Sequence, residues 1–255
     1  NQAKVLNFFG LLLIMFGISF AIPLFVAIFY GESLIRVFAL GMSILVLIGF
    51  LSWFFTKDNK QELSLSDGFV ITVLFWIVLS VSGSIPFILF GFGVVDSFFE
   101  SMSGITTTGA TVIAGLDDLP KSLLIYRQLL QWLGGMGLIV LAIAVMPLLG
   151  IGGGQLFKTQ TPGPMSEQRL TPRITSTARA LWSIYFVLTV LCIFAYRLAG
   201  MSYFDAVSHA FSTVSIGGFS THDLSIGFFD SLSIEIVCIT FMLLSAMSFA
   251  VHYSA

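Results

Sequence analysis

The apolar residues of this chain are gathered into six blocks, at roughly 5–30, 34–56, 67–93, 123–150, 176–199 and 228–253. Each is about as long as the roughly 20 residues that carry a helix across a bilayer, so the pattern predicts six membrane-spanning helices. The segments between the blocks are of two kinds. Residues 57–66 and 151–175 are polar loops, whereas 94–122 and 200–227 each begin half-apolar and then turn rich in Thr, Ser and Gly. The first block runs past residue 25 without a small-residue cleavage site, which reads as a retained helix rather than a signal peptide.

Composition supports the membrane reading. Hydrophobic residues make up 57% of the 255 positions, charged residues 9%, and the mean hydropathy is +1.01. A soluble domain carries about 25% charged residues, and a chain this size could not cover its surface with so few. The formal net charge of −2 points to no nucleic-acid partner and leaves membrane lipid as the implied surroundings. Segment 151–179 nets +3, with Lys158, Arg169, Arg173 and Arg179 against Glu167, while segments 94–122 and 200–230 each net −3. Lys and Arg favour the cytoplasmic side, so 151–175 is expected inside and the two Thr/Ser/Gly segments outside. Cys192 and Cys238 lie in apolar blocks and read as packing residues, a disulfide being the alternative.

A weak internal repeat links the two outward segments. With Asp96 placed on Asp205, residues 96–111 (DSFFESMSGITTTGAT) lie over 205–220 (DAVSHAFSTVSIGGFS), sharing Asp96/Asp205, Ser103/Ser212 and Gly109/Gly218. Those identities are few, but the layout matches. Each segment opens on an expected N-cap aspartate, continues for about ten helix-compatible residues, and breaks at a Gly-containing turn. A second likeness, LGGMG at 133–137 against LSAMS at 244–248, falls in the helix after each segment. The expected organisation is two N-terminal helices at 1–66, a helix–pore loop–helix unit at 67–150, a cytoplasmic loop at 151–175 and a second such unit at 176–255. The last block reaches Ala255 without a polar exit and Asn1 is not a start residue, which reads as a trimmed chain.

A segment this short cannot cross a membrane and return as two full helices. It can enter as a short helix and leave as extended chain, which is tolerated only where the backbone lines water or is buried in protein. The C-terminal end of such a helix points to the membrane centre with partial negative charge. The residues after it can present carbonyls that replace the hydration shell of an alkali cation. That chemistry selects Thr106, Thr107, Thr108, Gly109 and Ala110 in the first segment and Ser215, Ile216, Gly217, Gly218 and Phe219 in the second as filter residues. The carbonyls of Thr107, Thr108, Gly109, Ile216, Gly217 and Gly218 are the expected ion ligands, with no covalent catalysis. Glu100, Asp117, Asp118 and Asp223 are expected at the outer vestibule, where acids concentrate cations. Glu100 has a second reading as helix N-terminal or filter support. Arg127 is expected to snorkel to the interface, with a salt bridge behind the filter as the alternative. His209 and His222 read as structural hydrogen-bonding groups rather than a metal or catalytic pair, since nothing shows them converging. Pro86 and Pro147 are expected at helix bends or ends, and GIGGG at 150–154 lacks the strand–helix context of a phosphate loop. A coupled transporter binding a solute at mid-membrane and an intramembrane enzyme remain the other classes.

TTTGAT at 106–111 and SIGGFST at 215–221, with ESMSG at 100–104, LLQWLGGMG at 129–137 and GFSTHD at 218–223, resemble the TrkH/KtrB/HKT superfamily of potassium transporters, and its TrkH branch in particular. The resemblance spans the whole chain and corresponds to an N-terminal half. It implies an all-α membrane fold of tandem potassium-channel-like repeats, with a third and fourth repeat missing here. It implies one filter glycine per repeat, on Gly109 and Gly218. Because Ser at the first of these accompanies sodium preference in related plant transporters, Gly109 implies potassium as the transported substrate. It further implies a bacterial inner-membrane location, no cofactor, a homodimer and a cytosolic nucleotide-binding regulatory subunit of the TrkA type.

Overall fold

The computed structural model describes residues 2–57, 65–145 and 170–247, and these are all-helical apart from turns and loops. The longer helices are α1 (Gln2–Ser19), α2 (Ala21–Tyr30), α3 (Ile35–Thr56), α4 (Leu65–Phe90), α6 (Lys121–Val145), α7 (Leu170–Leu198) and α9 (Leu232–Ala246). Two 12-residue helices, α5 (Val94–Ile105) and α8 (Tyr203–Val214), sit between α4 and α6 and between α7 and α9. Each predicted block thus finds a helix, with α1 and α2 sharing the first. Among the described residues, Gln2–Tyr30, Ile35–Thr56, Asp67–Phe90 and Ala180–Leu198 are long and apolar enough to cross a membrane. The described part of the sixth block is a shorter apolar helix, Leu232–Ala246. Pro86 lies inside α4 and does not end it. Pro147 and the glycine run at 150–154 fall outside the described residues.

Without water to drive apolar surfaces together, membrane helices associate through close backbone approach and polar contacts. The hairpin of α1 and α3 uses both. A Cβ on Gly10 would stand 2.7 Å from the Trp53 amide nitrogen and 2.9 Å from the Gly49 carbonyl oxygen, so the two backbones touch there. Ser52 Oγ donates to the Leu6 carbonyl at 2.8 Å and Asn7 Nδ2 to Thr56 Oγ1 at 3.2 Å. The hairpin docks on the rest of the chain around Tyr126. This buried ring meets Phe20, Phe38 and Phe87 at centroid distances of 5.3, 5.4 and 5.3 Å, and its hydroxyl donates to the Gly83 carbonyl at 2.7 Å. Glu32, in the α2–α3 turn, adds a charged tie. Its carboxylate accepts from the Lys121 amide at 2.7 Å, from the Ser122 amide at 3.1 Å and from the Ser122 hydroxyl. It thereby covers the electropositive start of α6, a role the sequence reading missed.

One apolar cluster gathers α1–α6 and a second, with Met136, Tyr185, Leu188, Cys192, Tyr196, Ala206 and Ile234, gathers α6–α9. Helix α6 belongs to both. Cys192 is buried in the second cluster and Cys238 packs beside it, both as free thiols.

Candidate functional site: two matched turns around helix α6

The turns that end α5 and α8 are built alike, residue for residue, at an offset of 109 positions. The Thr106 amide bonds to the Met102 carbonyl, as Ser215 does to Phe211, and their hydroxyls bond to the same carbonyls at 2.7 and 2.8 Å. Thr107 bonds to Gly104 as Ile216 does to Thr213, and Thr108 to Ser103 as Gly217 does to Ser212. Backbone handedness repeats too: φ is +55° at Thr107 and +54° at Ile216, then +79° at Gly109 and +86° at Gly218. Glycine takes a positive φ without steric cost. Threonine and isoleucine do not, and each stores about 1–3 kcal/mol of strain in that conformation. The turns are adjacent, because a Cβ on Gly109 would run into the Gly217 carbonyl oxygen.

The aspartates that suggested the repeat hold equivalent places, but not as N-caps. Gly93 caps α5 and Ser202 caps α8, leaving Asp96 and Asp205 as the third residue of each helix. Ser202 Oγ accepts from the Asp205 amide at 3.1 Å and donates to Asp205 Oδ2 at 2.7 Å. It satisfies one of the amides a helix start leaves free, so the cap falls three residues earlier than the aspartate suggests.

Two side chains change place relative to expectation. Glu100 is not in an outer vestibule and Arg127 does not snorkel: both are fully buried, with Arg127 Nε 2.8 Å from Glu100 Oε1. A buried charge is tolerated only when paired and hydrogen-bonded, and here both carboxylate oxygens and all three guanidinium nitrogens have a partner. Glu100 accepts from the Thr111 hydroxyl at 2.9 Å on each oxygen and from the Val112 amide at 3.2 Å. Arg127 donates to Thr111 Oγ1 and to the Ser220 carbonyl, both at 3.0 Å, and its guanidinium lies 4.4 Å over the Phe219 ring. The pair therefore stands behind both chains as they leave their turns.

One helical turn further along α6, buried Gln131 donates from Nε2 to the Gly217 carbonyl at 2.7 Å and accepts the Phe219 amide on Oε1 at 3.0 Å. The Gly217 carbonyl, one of the expected ion ligands, is thus held from the protein side by Gln131. Nothing in the sequence singled out Gln131 except its place inside LLQWLGGMG. The small residues of that stretch have steric reasons. A Cβ on Gly134 would meet the Ile105 carbonyl at the end of α5, and one on Gly135 would stand 2.9 Å from the Tyr185 hydroxyl and 3.1 Å from Ser215 Cβ. Close packing of α6 against both turns is what they permit.

The histidines do converge, with ring centroids 6.4 Å apart, and they act as hydrogen-bonding groups. His209 pairs with the Asp205 carbonyl and with Ser220 Oγ, both at 2.9 Å. The His222 ring stacks on Phe228 at 3.5 Å and pairs through Nδ1 with Asp117 Oδ1, while its Nε2 lies 3.4 Å from Asp205 Oδ1. Among the described residues no group of three or more His, Cys, Asp or Glu is placed to hold a metal ion. Asp223 accepts the Gly115 and Leu116 amides at 3.1 Å each. With the Asp117–His222 contact, this clips together the loops that follow the two turns. The hydrogen bond from His222 holds the Asp117 carboxyl below its ordinary value of 3.8. Asp117, Asp118 and Asp223 are exposed. Of the residues selected from sequence, Thr108, Ala110, Ile216 and Gly218 are also exposed, while Gly217 and Phe219 are buried.

A family model described as TrkH, cation transport protein, matches residues 34–255. The Trk system potassium uptake protein TrkH of Vibrio parahaemolyticus is 50% identical over 255 residues, covering 99% of this chain and 53% of that protein. TrkH of Escherichia coli is 48% identical over 248 residues, covering 96% of this chain and 51% of that protein. The crystal structure of the potassium transporter TrkH from Vibrio parahaemolyticus superposes with a TM-score of 0.87 at 47% identity, covering 99% of this chain and 51% of that one. The chain spans about half the length of the curated relatives it matches.

Proposed function

This chain belongs to the TrkH family of cation transport proteins, and from that footing we propose that it supplies two of the pore loops through which potassium ions enter the cell. The family is one of transport proteins rather than enzymes, and its place is the bacterial inner membrane. The observation that carries the proposal is the doubled turn: the same hydrogen bonds and the same pair of positive φ values recur 109 residues apart, side by side. A pore wall assembled from repeats calls for such a shared backbone path, because neighbouring walls must bring their oxygens to the same ion.

In this reading residues 1–66 are two extra helices, and 67–150 and 176–255 are tandem helix–pore loop–helix units, with 151–175 on the cytoplasmic side. The short helices α5 and α8 enter from outside with their C-terminal ends toward the membrane centre, where the partial negative charge of each favours a cation. Thr106–Ala110 and Ser215–Phe219 form the filter walls. Carbonyls of Thr107, Thr108, Gly109, Ile216 and Gly218 face the ion and replace its water. The exposed Asp117, Asp118 and Asp223 raise the local cation concentration outside. Two further repeats close the ring, a second copy gives a homodimer, and a cytosolic nucleotide-binding subunit of the TrkA type docks on the inner face. The relatives named potassium uptake proteins support potassium as the ion. A mid-membrane organic-solute site gains no support from them.

The test is growth and potassium uptake in cells stripped of their own potassium uptake routes. Native-length protein carrying this segment is expected to restore growth at low potassium. Correctly inserted protein that restores neither growth nor uptake contradicts the proposal.

A further inference from the structure

We infer that Gln131 is a positioning residue for ion selectivity, acting from α6 of the first unit on the filter of the second. The inference rests on the filter reading above and adds a residue to it.

The geometry is a two-point clamp. Gln131 is fully buried, and both polar atoms of its amide bind backbone on either side of Gly218: Nε2 the Gly217 carbonyl at 2.7 Å, Oε1 the Phe219 amide at 3.0 Å. Only one orientation of the side chain satisfies both partners, since the carbonyl needs a donor and the amide an acceptor. A Cβ on Gly217 would run into the Gln131 side chain, so the clamp also gives Gly217 its reason to be glycine.

The consequence for the ion path follows from the trans peptide. The Phe219 N–H and the Gly218 C=O belong to one planar unit and point in opposite directions. Drawing the Phe219 N–H toward α6 therefore aims the Gly218 carbonyl away from α6, to the exposed side of the turn. Holding the Gly217 carbonyl on α6 likewise turns the Gly218 N–H outward. Gln131 thus decides which of two neighbouring carbonyls is offered to an ion. Among the described residues, the second unit offers no such clamp from the matching position in return. At the 111-residue offset of the small-residue stretch, Gln131 falls on Met242, which has no amide.

The test uses Gln131→Met, close in shape but without the amide, and Gln131→Glu, in native-length protein, measuring potassium against sodium tracer uptake and abundance in the membrane. Gln131→Met is expected to keep near-native abundance and to lose potassium preference by about tenfold, the scale of one buried hydrogen-bonded pair lost. Gln131→Glu is expected to lose preference when ionised and regain it as pH falls, because a protonated carboxyl again donates to Gly217 and accepts from Phe219; native protein shows no such recovery. Unchanged preference in Gln131→Met, while Gly218→Ser collapses it, overturns the inference and leaves the filter reading standing. Unchanged preference in both overturns the two together. If Gln131→Met does not reach the membrane, Gln131→Glu decides: recovery on acidification supports the clamp, and a pH-independent ratio overturns it.

Discussion

Four residues after the leading aspartate, the first short helix carries Glu100 and the second carries His209. Both side chains do the same thing. Each reaches the hydroxyl two residues past its turn glycine, Glu100 to Thr111 and His209 to Ser220. Yet one support is a buried ion pair with Arg127, and the other is an imidazole closed by the Asp205 carbonyl on its far nitrogen. The same backbone turn is thus held by two different chemistries. The comparison teaches that the charge of Glu100 serves the turn behind it, and that its partner serves both turns, since Arg127 also binds Ser220. The first turn leans on its own unit, whereas the second is held largely from α6 of its neighbour.

That asymmetry can be broken from either side. Arg127→Met should have the largest effect, leaving the Glu100 carboxylate buried and uncompensated at a cost of about 3–5 kcal/mol. The expected readout is a sharp fall in membrane abundance and thermal stability in detergent. Glu100→Gln should come next. A buried group cannot steer ions in solution, so uptake should drop by a similar factor at every external potassium concentration; a deficit confined to low potassium would return Glu100 to the vestibule. His209→Gln, which keeps a polar group near Ser220, should cost about 1 kcal/mol, and differential melting checks it. A loss as large as that of Arg127→Met would erase the distinction between the two supports.

The smallest effect belongs to the clip between the outer loops. Asp117→Asn should change stability by less than about 1 kcal/mol, as exposed pairs do. Its pH dependence has a definite sign. The Asp117 carboxyl is lowered below 3.8 by the hydrogen bond from His222, so the contribution is present above that value and fades as pH falls through the lowered one. Melting curves of native and Asp117→Asn protein should therefore approach each other toward acid pH.

The helices and their order were legible because apolar blocks of membrane length admit few alternatives, and the turn glycines because a positive φ leaves a mark in composition. What pairwise contact decides was not legible. Arg127 near the start of an apolar helix looks identical whether it snorkels or turns inward, and only α5 packed against α6 supplies Glu100 as its partner. Hydropathy placed Glu100 in an acidic segment without revealing that the same helix turns it inward. The caps fall three residues before the aspartates, on Ser202, which takes the Asp205 amide, and on Gly93, which has no side chain to mark it. Gln131 was invisible as a site for a plainer reason: its partners are backbone atoms 86 and 88 residues away, which no side-chain pattern records.

The most direct measurement is competition between potassium and sodium tracer for uptake through native-length protein carrying Gly109→Ser. A side chain there meets both a positive φ and the Gly217 carbonyl, so strain of about 1–3 kcal/mol falls on two filter walls at once. The account predicts that potassium preference falls by about tenfold or more at near-native abundance, since each 1.4 kcal/mol corresponds to about tenfold. An unchanged preference in inserted protein would contradict the claim that these two turns are walls of one potassium filter.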